Sequence, residues 1–283
     1  MSAPRVYLVG DESRPRVARA LKRLQNLLQG RAELVGVDAF GAADLGDVQA
    51  DLIVVLGGDG AILAATRRLG PSATPVVGVN FGKLGFLAAL RARELERVAE
   101  DVVAARRYRV SRRMTLEATL HRARGGVEGP VRGLNDAVIE RWDARSLAVD
   151  FLVDDELATT YRGDGVIVAT PTGSTAHSLA AGGPIVEPAV EALVVSPICP
   201  HSVSNRPLVL GPDQTVRLRV GGGSRRPGLA VDGQVMFDLE LGDEVVVKRC
   251  AHPVHLAMPA DRSFFEVLRT RLQWAGQPPY EGG

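Results

Sequence analysis

The sequence changes character once, close to Tyr108, and this change constrains the fold more than any other feature. Before it, short apolar runs such as Asp51–Leu56 alternate with segments whose apolar residues recur at helical spacing, as in Arg14–Gln29. Strands that alternate with helices predict βαβ units and a parallel sheet. After it, short β-branched or alternating runs follow one another with turn residues between them, which is typical of an all-β sandwich or barrel.

We therefore predict two domains, an α/β domain up to about residue 109 and an all-β domain up to about residue 258. A length of 283 residues is sufficient for two ordinary domains. One short helix is expected near Ser174–Ala181, inside the β region, and another over Arg262–Trp274, after it.

The composition excludes several classes of protein. The chain has 34 Lys and Arg against 33 Asp and Glu, whereas a nucleic-acid binder usually carries a clear basic excess. Two isolated cysteines, Cys199 and Cys250, exclude a disulfide framework and a cysteine-rich zinc site, and are typical of a reducing cytosol. We see no signal-peptide pattern and no apolar run long enough for a membrane helix. We therefore expect a cytoplasmic protein that binds neither nucleic acid nor membranes.

Glycine is over-represented, at 31 of 283 residues, against a usual share of about 7 %. One cluster, Gly57–Gly60, follows an apolar strand at the place where α/β sheets bind ligands. Its backbone N–H groups can hold an anion, and Asp59 within it can hold a cation or take a proton from an attacking hydroxyl. A tight turn with Asp59 as the helix N-cap is the structural alternative.

Two later segments also carry polar groups suited to a ligand. The amide of Asn135 and the carboxylate of Asp136 suit paired sugar hydroxyls, although an Asx-turn before a strand explains them as well. The tract Gly163–Pro184 runs from an apolar strand through a Gly/Ser/Thr turn into a helix of small residues. Small residues leave room for a planar ring, and hydroxyl and N–H groups can hold phosphate, so this tract predicts a nucleotide site.

Taken in order along the chain, these segments resemble the motifs of the NAD kinase family. The matching segments, from Gly57 to about Asp261, are Gly57–Gly60 (the family's GGDG), Asn135-Asp136 (its Asn-Glu pair), Thr170–Pro184 (its Thr/Gly/Ser signature), Ser196–Leu208 and Val231–Gln234. The resemblance implies a Rossmann-like α/β domain over residues 1–109, which the tail 259–283 rejoins. It also implies that residues 110–258 form a dinucleotide-binding β-sandwich.

The activity that the resemblance implies is phosphoryl transfer from ATP, or from polyphosphate in some members, to the adenosine ribose 2′-hydroxyl of NAD. It further implies a divalent cation, most often Mg²⁺, and a cytoplasmic homo-oligomer, either a dimer or a tetramer. No dedicated set of metal-binding residues is visible in the sequence. A lipid kinase of the diacylglycerol-kinase type and a non-catalytic dinucleotide-sensing module are the alternatives.

The resemblance also assigns roles to individual residues. Asp59 is the implied base toward the 2′-hydroxyl, and Gly57 and Gly58 are the implied phosphate-binding residues. The implied NAD-binding residues are Gly60, Asn135, Asp136, Arg162, Asp164, Thr175, Ala176, His177, Ser178, Ala180 and Gln234. Two of them depart from the family pattern: Asp136 is one methylene shorter than the usual Glu, and His177 replaces a common Tyr, which reduces the area for stacking.

Overall fold

The computed structural model describes residues 3–82 and 85–272, and it divides into two compact units. The first unit runs up to Ser111 and resumes at His255, and the second comprises Arg112–Val254. Within the described residues, no helix has the length and apolar character needed to cross a membrane. The domain boundaries at 109/110 and 258/259 remain a prediction.

The N-terminal part of the chain alternates strands and helices, as predicted. The strands are β1 (Arg5–Gly10), β2 (Glu33–Asp38), β3 (Leu52–Leu56), β4 (Val76–Asn80), β5 (Leu90–Arg91) and β6 (Tyr108–Arg113). The helices are α1 (Pro15–Leu28), α2 (Asp59–Arg68) and α3 (Leu95–Arg97). A 3-10 turn over Ala92–Glu94 precedes α3, and a π-helical segment over Val98–Ala104 follows it.

The central part of the chain consists almost entirely of strands. They are β7 (Leu116–His121), β8 (Val127–Gly133), β9 (Asp136–Arg141), β10 (Leu147–Val153), β11 (Glu156–Gly163), β12 (Gly165–Ala169), β13 (Leu193–Ile198), β14 (Leu208–Leu210), β15 (Val216–Gly222), β16 (Pro227–Val231), β17 (Val235–Asp238) and β18 (Glu244–Arg249). A 3-10 turn over Gly173–Thr175 and the short helix α4 (His177–Ala180) interrupt them. The described chain ends with β19 (Val254–Pro259) and α5 (Phe264–Leu272).

The first unit is built on one sheet, in the order β2-β1-β3-β4-β19-β6, with β5 beside β4. Strands β1 to β4 pair in parallel, and β3 is buried along its whole length, as expected of a strand covered on both faces. Helix α1 packs against this sheet through Val17, Leu21 and Leu24. The strand order reverses between β1 and β3, and ligands bind at such reversal points in open α/β sheets.

The second unit contains two six-stranded antiparallel sheets. One has the order β11-β10-β15-β18-β7-β8, and the other has the order β14-β13-β12-β9-β16-β17. Phe151 from the first sheet and Ile139 and Val168 from the second belong to the same buried apolar cluster. The two sheets therefore pack face to face, and the predicted combination of an α/β sheet with a β-sandwich is confirmed.

The structure differs from the sequence analysis in the details of two helices. The sequence predicts a helix over Ala61–Leu69. Helix α2 begins two residues earlier, at Asp59, because the extended backbone of Gly58 serves as its N-cap without a side-chain bond. The helix predicted over Ser174–Ala181 is broken at Ala176, where φ is −102° and ψ is −127°. The helix predicted over Arg262–Trp274 is present over Phe264–Leu272. The last two residues of the predicted range, 273 and 274, lie outside the described residues.

Candidate active site

Asp59 stands at the carboxyl edge of the parallel sheet, separated from β3 by two glycines. It is the first residue of α2, whose N-cap is Gly58, so the alternative interpretation of Asp59 as the N-cap is wrong. The N–H of Gly57 donates to the carbonyl of Val79 on β4 at 2.9 Å. This bond ties the glycine turn to the neighbouring strand and places Asp59 at the end of β4.

The Asp59 carboxylate is held by the backbone of the loop after β4. The N–H of Phe86 donates to its Oδ2 at 3.0 Å, and the N–H of Ala88 donates to its Oδ1 at 3.2 Å. Gly85 lies directly against the carboxylate, since a Cβ there would be 1.9 Å from Oδ1. A carboxylate has about four acceptor positions, so Asp59 is oriented by these bonds and can still accept a proton.

A cleft of about 680 Å³ opens at the same edge of the sheet. Residues that follow three neighbouring strands line it: the 13–19 segment after β1, Gly57 and Gly58 after β3, and Asn80 with Phe81 at the end of β4. The cleft therefore lies at the reversal point of the strand order, where a ligand site is expected.

Three exposed arginines, Arg14, Arg16 and Arg19, line this cleft at the start of α1. Arg14 pairs with Asp11 at 3.2 Å, whereas Arg16 and Arg19 form no ion pair with any described residue. The first turn of α1 holds no acidic residue, although the helix dipole favours negative charge there. A bound anion would remove this unfavourable arrangement of charge. None of the sequence motifs includes these arginines, although their spacing at the start of a predicted helix was an available signal.

The backbone around Asn135 is fixed from two sides. On one side, the Asp232 carboxylate accepts the N–H groups of Leu134 at 3.0 Å, Asn135 at 2.7 Å and Asp136 at 3.2 Å. On the other side, the N–H of Thr170 donates to the Asn135 carbonyl at 2.8 Å, and the Thr170 hydroxyl donates to the Leu134 carbonyl at 2.6 Å. The Asn-Asp pair is therefore held in a fixed backbone conformation at the start of β9.

Much of the Gly/Ser/Thr tract serves to build this arrangement. A Cβ on Gly173 would lie 2.0 Å from the Asn135 carbonyl oxygen, so only glycine fits there without a shift. The hydroxyl of Ser174 donates to the Pro171 carbonyl at 2.6 Å. The hydroxyl of Ser178 is buried and lies 3.0 Å from that of Ser196. Gly173 therefore packs against Asn135, whereas Ser174 bonds within the tract and Ser178 bonds to Ser196 on β13.

A second cavity, of about 260 Å³, lies in the second unit beside this segment. Four of the predicted residues line it: Asn135, Asp136, Ala176 and His177. The rest of its lining comprises Val138, Glu140, Ala230, Asp232, Gly233 and Met236. The structure thus brings the Asn-Asp pair together with the start of α4 at one cavity.

Six other predicted residues are placed outside this lining: Arg162, Asp164, Thr175, Ser178, Ala180 and Gln234. Asp164 is paired with Arg141, whose Nε donates to Oδ1 at 2.7 Å, and this bond lowers the pKa of the carboxyl. Gly60 is exposed in the first turn of α2. The contribution of these residues to ligand binding stays a prediction.

The Asp136 carboxyl has an unusual electrostatic environment. Burial, and secondarily the negative charge of Asp232, raise its pKa to about 7. Among the described residues, no group of three or more His, Cys, Asp or Glu side chains is arranged to hold a metal ion.

Comparison with known families matches both parts of the chain. Residues 15–108 match the ATP-NAD kinase N-terminal domain, and residues 134–258 match the ATP-NAD kinase C-terminal domain.

Individual relatives are similar over most of their length. An NAD kinase from Heliobacterium modesticaldum is 40 % identical over 282 residues, which cover 95 % of this chain and 99 % of the relative. An NAD kinase from Geobacter metallireducens is 45 % identical over 226 residues, which cover 80 % of this chain and 79 % of the relative.

Two solved structures have the same fold. Yeast NADH kinase complexed with NADH has a TM-score of 0.88 and 25 % identity, covering 99 % of this chain and 90 % of its own. An NAD kinase from Archaeoglobus fulgidus in complex with ATP has a TM-score of 0.74 and 26 % identity, covering 96 % of this chain and 100 % of its own.

Proposed function

We propose below a role for individual residues of this chain, which belongs to the NAD kinase family and phosphorylates NAD to NADP with ATP. The lipid-kinase and sensing-module alternatives are set aside, because family matches cover both the N-terminal and the C-terminal region. The reaction needs a base for the attacking hydroxyl, donors for the phosphates and contacts that hold the dinucleotide.

We propose that Asp59 is the base. The adenosine ribose 2′-oxygen attacks the terminal phosphorus of ATP, the bond from that phosphorus to the bridging oxygen breaks and ADP leaves. The 2′-hydroxyl proton moves to the Asp59 carboxylate. The observation that carries this assignment is the fixed orientation of Asp59 by the N–H groups of Phe86 and Ala88. A carboxylate held in this way needs no rearrangement during the reaction.

We propose that the cleft of the first unit receives the donor phosphates. Gly57 and Gly58 line the cleft with backbone that no side chain covers. Arg14, Arg16 and Arg19 line it with positive charge. Backbone and guanidinium donors together neutralise the charge of the transferred phosphoryl group, and phosphoryl transfer depends chiefly on such positioning and neutralisation.

The arginines provide a test of this assignment. The double substitution Arg16→Ala and Arg19→Ala is expected to raise the KM for ATP roughly three- to tenfold, because each exposed ion pair contributes about 0.2–1 kcal/mol. Steady-state kinetics with ATP varied at saturating NAD measure this. Arg23→Ala is the matched control, since Arg23 lies on the same helix but pairs with Glu96 outside the cleft. An equal change in both variants would contradict the assignment.

We propose that the cavity of the second unit holds NAD through Asn135, Asp136, Ala176 and His177. The amide and carboxyl side chains suit ribose hydroxyls, and the imidazole offers a face for stacking. For the remaining predicted residues, including Arg162, the support is the family resemblance alone.

Truncating the Asn135 side chain tests the NAD site. Asn135→Ala is expected to weaken NAD binding by up to about tenfold, since a hydrogen bond contributes about 0.5–1.5 kcal/mol net. The backbone bonds to Asp232 and Thr170 do not use this side chain, so the fold should persist. Calorimetric titration with NAD measures the affinity, and Asn26→Ala, an exposed amide on α1, is the control. Unchanged affinity in Asn135→Ala would remove the assignment.

We further propose that a divalent cation, most often Mg²⁺ in such reactions, accompanies the donor. Its ligands would come mainly from phosphate oxygens and water, as is usual for Mg²⁺ bound with a nucleotide. When bound, the cation neutralises charge on the transferred phosphoryl group. We also propose that the enzyme acts as a homo-oligomer in the cytoplasm, and the two free cysteines agree with a reducing compartment.

An assay that crosses the acceptors NAD and NADH with the donors ATP and polyphosphate, at fixed Mg²⁺, tests the proposed chemistry. We expect NADP from NAD and ATP, with the phosphate on the 2′-oxygen of the adenosine ribose. Binding of NAD without NADP formation under every donor would contradict the catalytic role of the first unit.

A further inference from the structure

Asp136 places a carboxyl group at a buried position in the second unit. Its residue is 5 % exposed, and it lines the cavity of the second unit. In the described part of the chain, no N–H or O–H group donates to its side chain. A buried ionised carboxylate without donors is costly, whereas the protonated form is tolerated.

Asp232 has the opposite environment, although it lines the same cavity. Its carboxylate accepts three consecutive backbone N–H groups, from Leu134, Asn135 and Asp136, at 2.7–3.2 Å. Its own backbone is in the left-handed region, with φ at 52°, and its N–H donates to the Asp136 carbonyl at 2.9 Å. Three N–H donors stabilise a negative charge on Asp232.

We propose that Asp136 meets the dinucleotide as a protonated carboxyl group, and that the ionised Asp232 beside it keeps it in that state. This inference rests on the proposed NAD site in the second unit. Asp232 acts here as a positioning residue, because it fixes the backbone of Asn135 and Asp136 and sets the charge of the latter.

The electrostatics of the cavity agree with this geometry. Burial, and secondarily the negative charge of Asp232, together raise the pKa of Asp136 to about 7. The other titratable groups that line the cavity are Glu140, from β9 itself, and His177, from α4. Among the described residues, Asp232 is the charged group that raises the pKa of Asp136.

A protonated carboxyl both donates and accepts a hydrogen bond, which matches a ribose hydroxyl in both of its roles. Bound NAD would bury Asp136 further and bring its negatively charged diphosphate into the same unit. Both effects favour the protonated form, so binding takes up or retains a proton. By linkage, the affinity for NAD falls as the pH rises above the pKa of free Asp136.

Calorimetric titration of the full chain with NAD tests this. The Kd of the wild type is expected to rise at least about tenfold between about pH 7 and about pH 9. Asp136→Asn, a neutral side chain of the same shape, should bind NAD with little pH dependence over this range. Glu140→Gln is the matched control and should keep the wild-type slope. A flat wild-type profile, or a slope that survives in Asp136→Asn and so belongs to another group, would overturn the proposal.

A second measurement separates this inference from the proposed function. Protein labelled with ¹³C at aspartate Cγ is titrated by NMR without NAD, and the Asp136 resonance is assigned by its loss in Asp136→Asn. The resonance should titrate near the raised pKa, whereas titration at about 4, the ordinary value, would overturn the proposal even if NAD binds. If Asp136 titrates as expected but NAD binds at no pH, the proposed NAD site fails and Asp136 does not meet the dinucleotide.

Discussion

Replacing Asp59 by asparagine is expected to lower kcat by a factor of about 10²–10⁴, the usual contribution of a general base. The amide cannot take the proton of the 2′-hydroxyl at neutral pH. NAD is expected to bind with little change, because the four cavity residues proposed to hold it, Asn135, Asp136, Ala176 and His177, lie in the second unit. Rapid-quench measurement of NADP at saturating substrates, together with calorimetric titration of NAD, separates the two effects.

The substitution has a structural side effect that needs a control. Both Asp59 oxygens accept backbone N–H groups, and the asparagine NH₂ group faces one of these donors without accepting from it. One bond to the loop at Phe86–Ala88 is therefore lost. A thermal melt of each variant reports this loss independently of the rate. A variant that melts like the wild type and turns over at the wild-type rate would show that Asp59 is not the base.

The substitution Gly85→Ala should impair catalysis although Asp59 itself is not replaced. The added Cβ would lie 1.9 Å from Asp59 Oδ1 and 2.2 Å from Oδ2, so either the carboxylate or the loop must move. A displacement of about 1 Å in a reacting group can lower the rate about 10²-fold. We therefore expect kcat to fall by that order while the Kd for NAD stays unchanged.

Gly211→Ala is the control for Gly85→Ala. An added Cβ at Gly211 would lie 3.7 Å from Oε1 of Gln214, which is an ordinary van der Waals contact. This variant should keep the wild-type kcat. If Gly85→Ala also kept the wild-type kcat, the orientation of Asp59 would not matter to the reaction.

Local patterns were sufficient to predict most of the fold. The spacing of Val17, Leu21 and Leu24 predicts α1 because these side chains face the sheet together. The apolar run before Gly57 predicts β3, which is buried on both faces. The start of α2 was placed two residues too late because Gly58 caps it through backbone conformation alone, which leaves no side-chain signal.

The site was predicted less completely, because its contacts join distant parts of the chain. The pattern of the Gly/Ser/Thr tract predicts a nucleotide site, but it does not show which groups its hydroxyls bond within the protein. Thr170 bonds to the Leu134 carbonyl, 36 residues away, and Ser178 bonds to Ser196, 18 residues away. Asp232 reaches Asp136 across 96 residues through the pairing of β16 with β9. Such pairings depend on strand register, which spacing within a single motif does not reveal.

This chain makes NADP, and we propose that Asp59 takes the proton of the attacking hydroxyl. The most direct measurement follows NADP formation by the wild type and by Asp59→Asn, side by side, with NAD, ATP and Mg²⁺. We predict that the wild type forms one NADP for each ATP consumed, and that the variant forms it at least about 10²-fold more slowly. Hydrolysis of ATP without formation of NADP by the wild type would contradict the proposed reaction, and equal rates in the two proteins would contradict the role of Asp59.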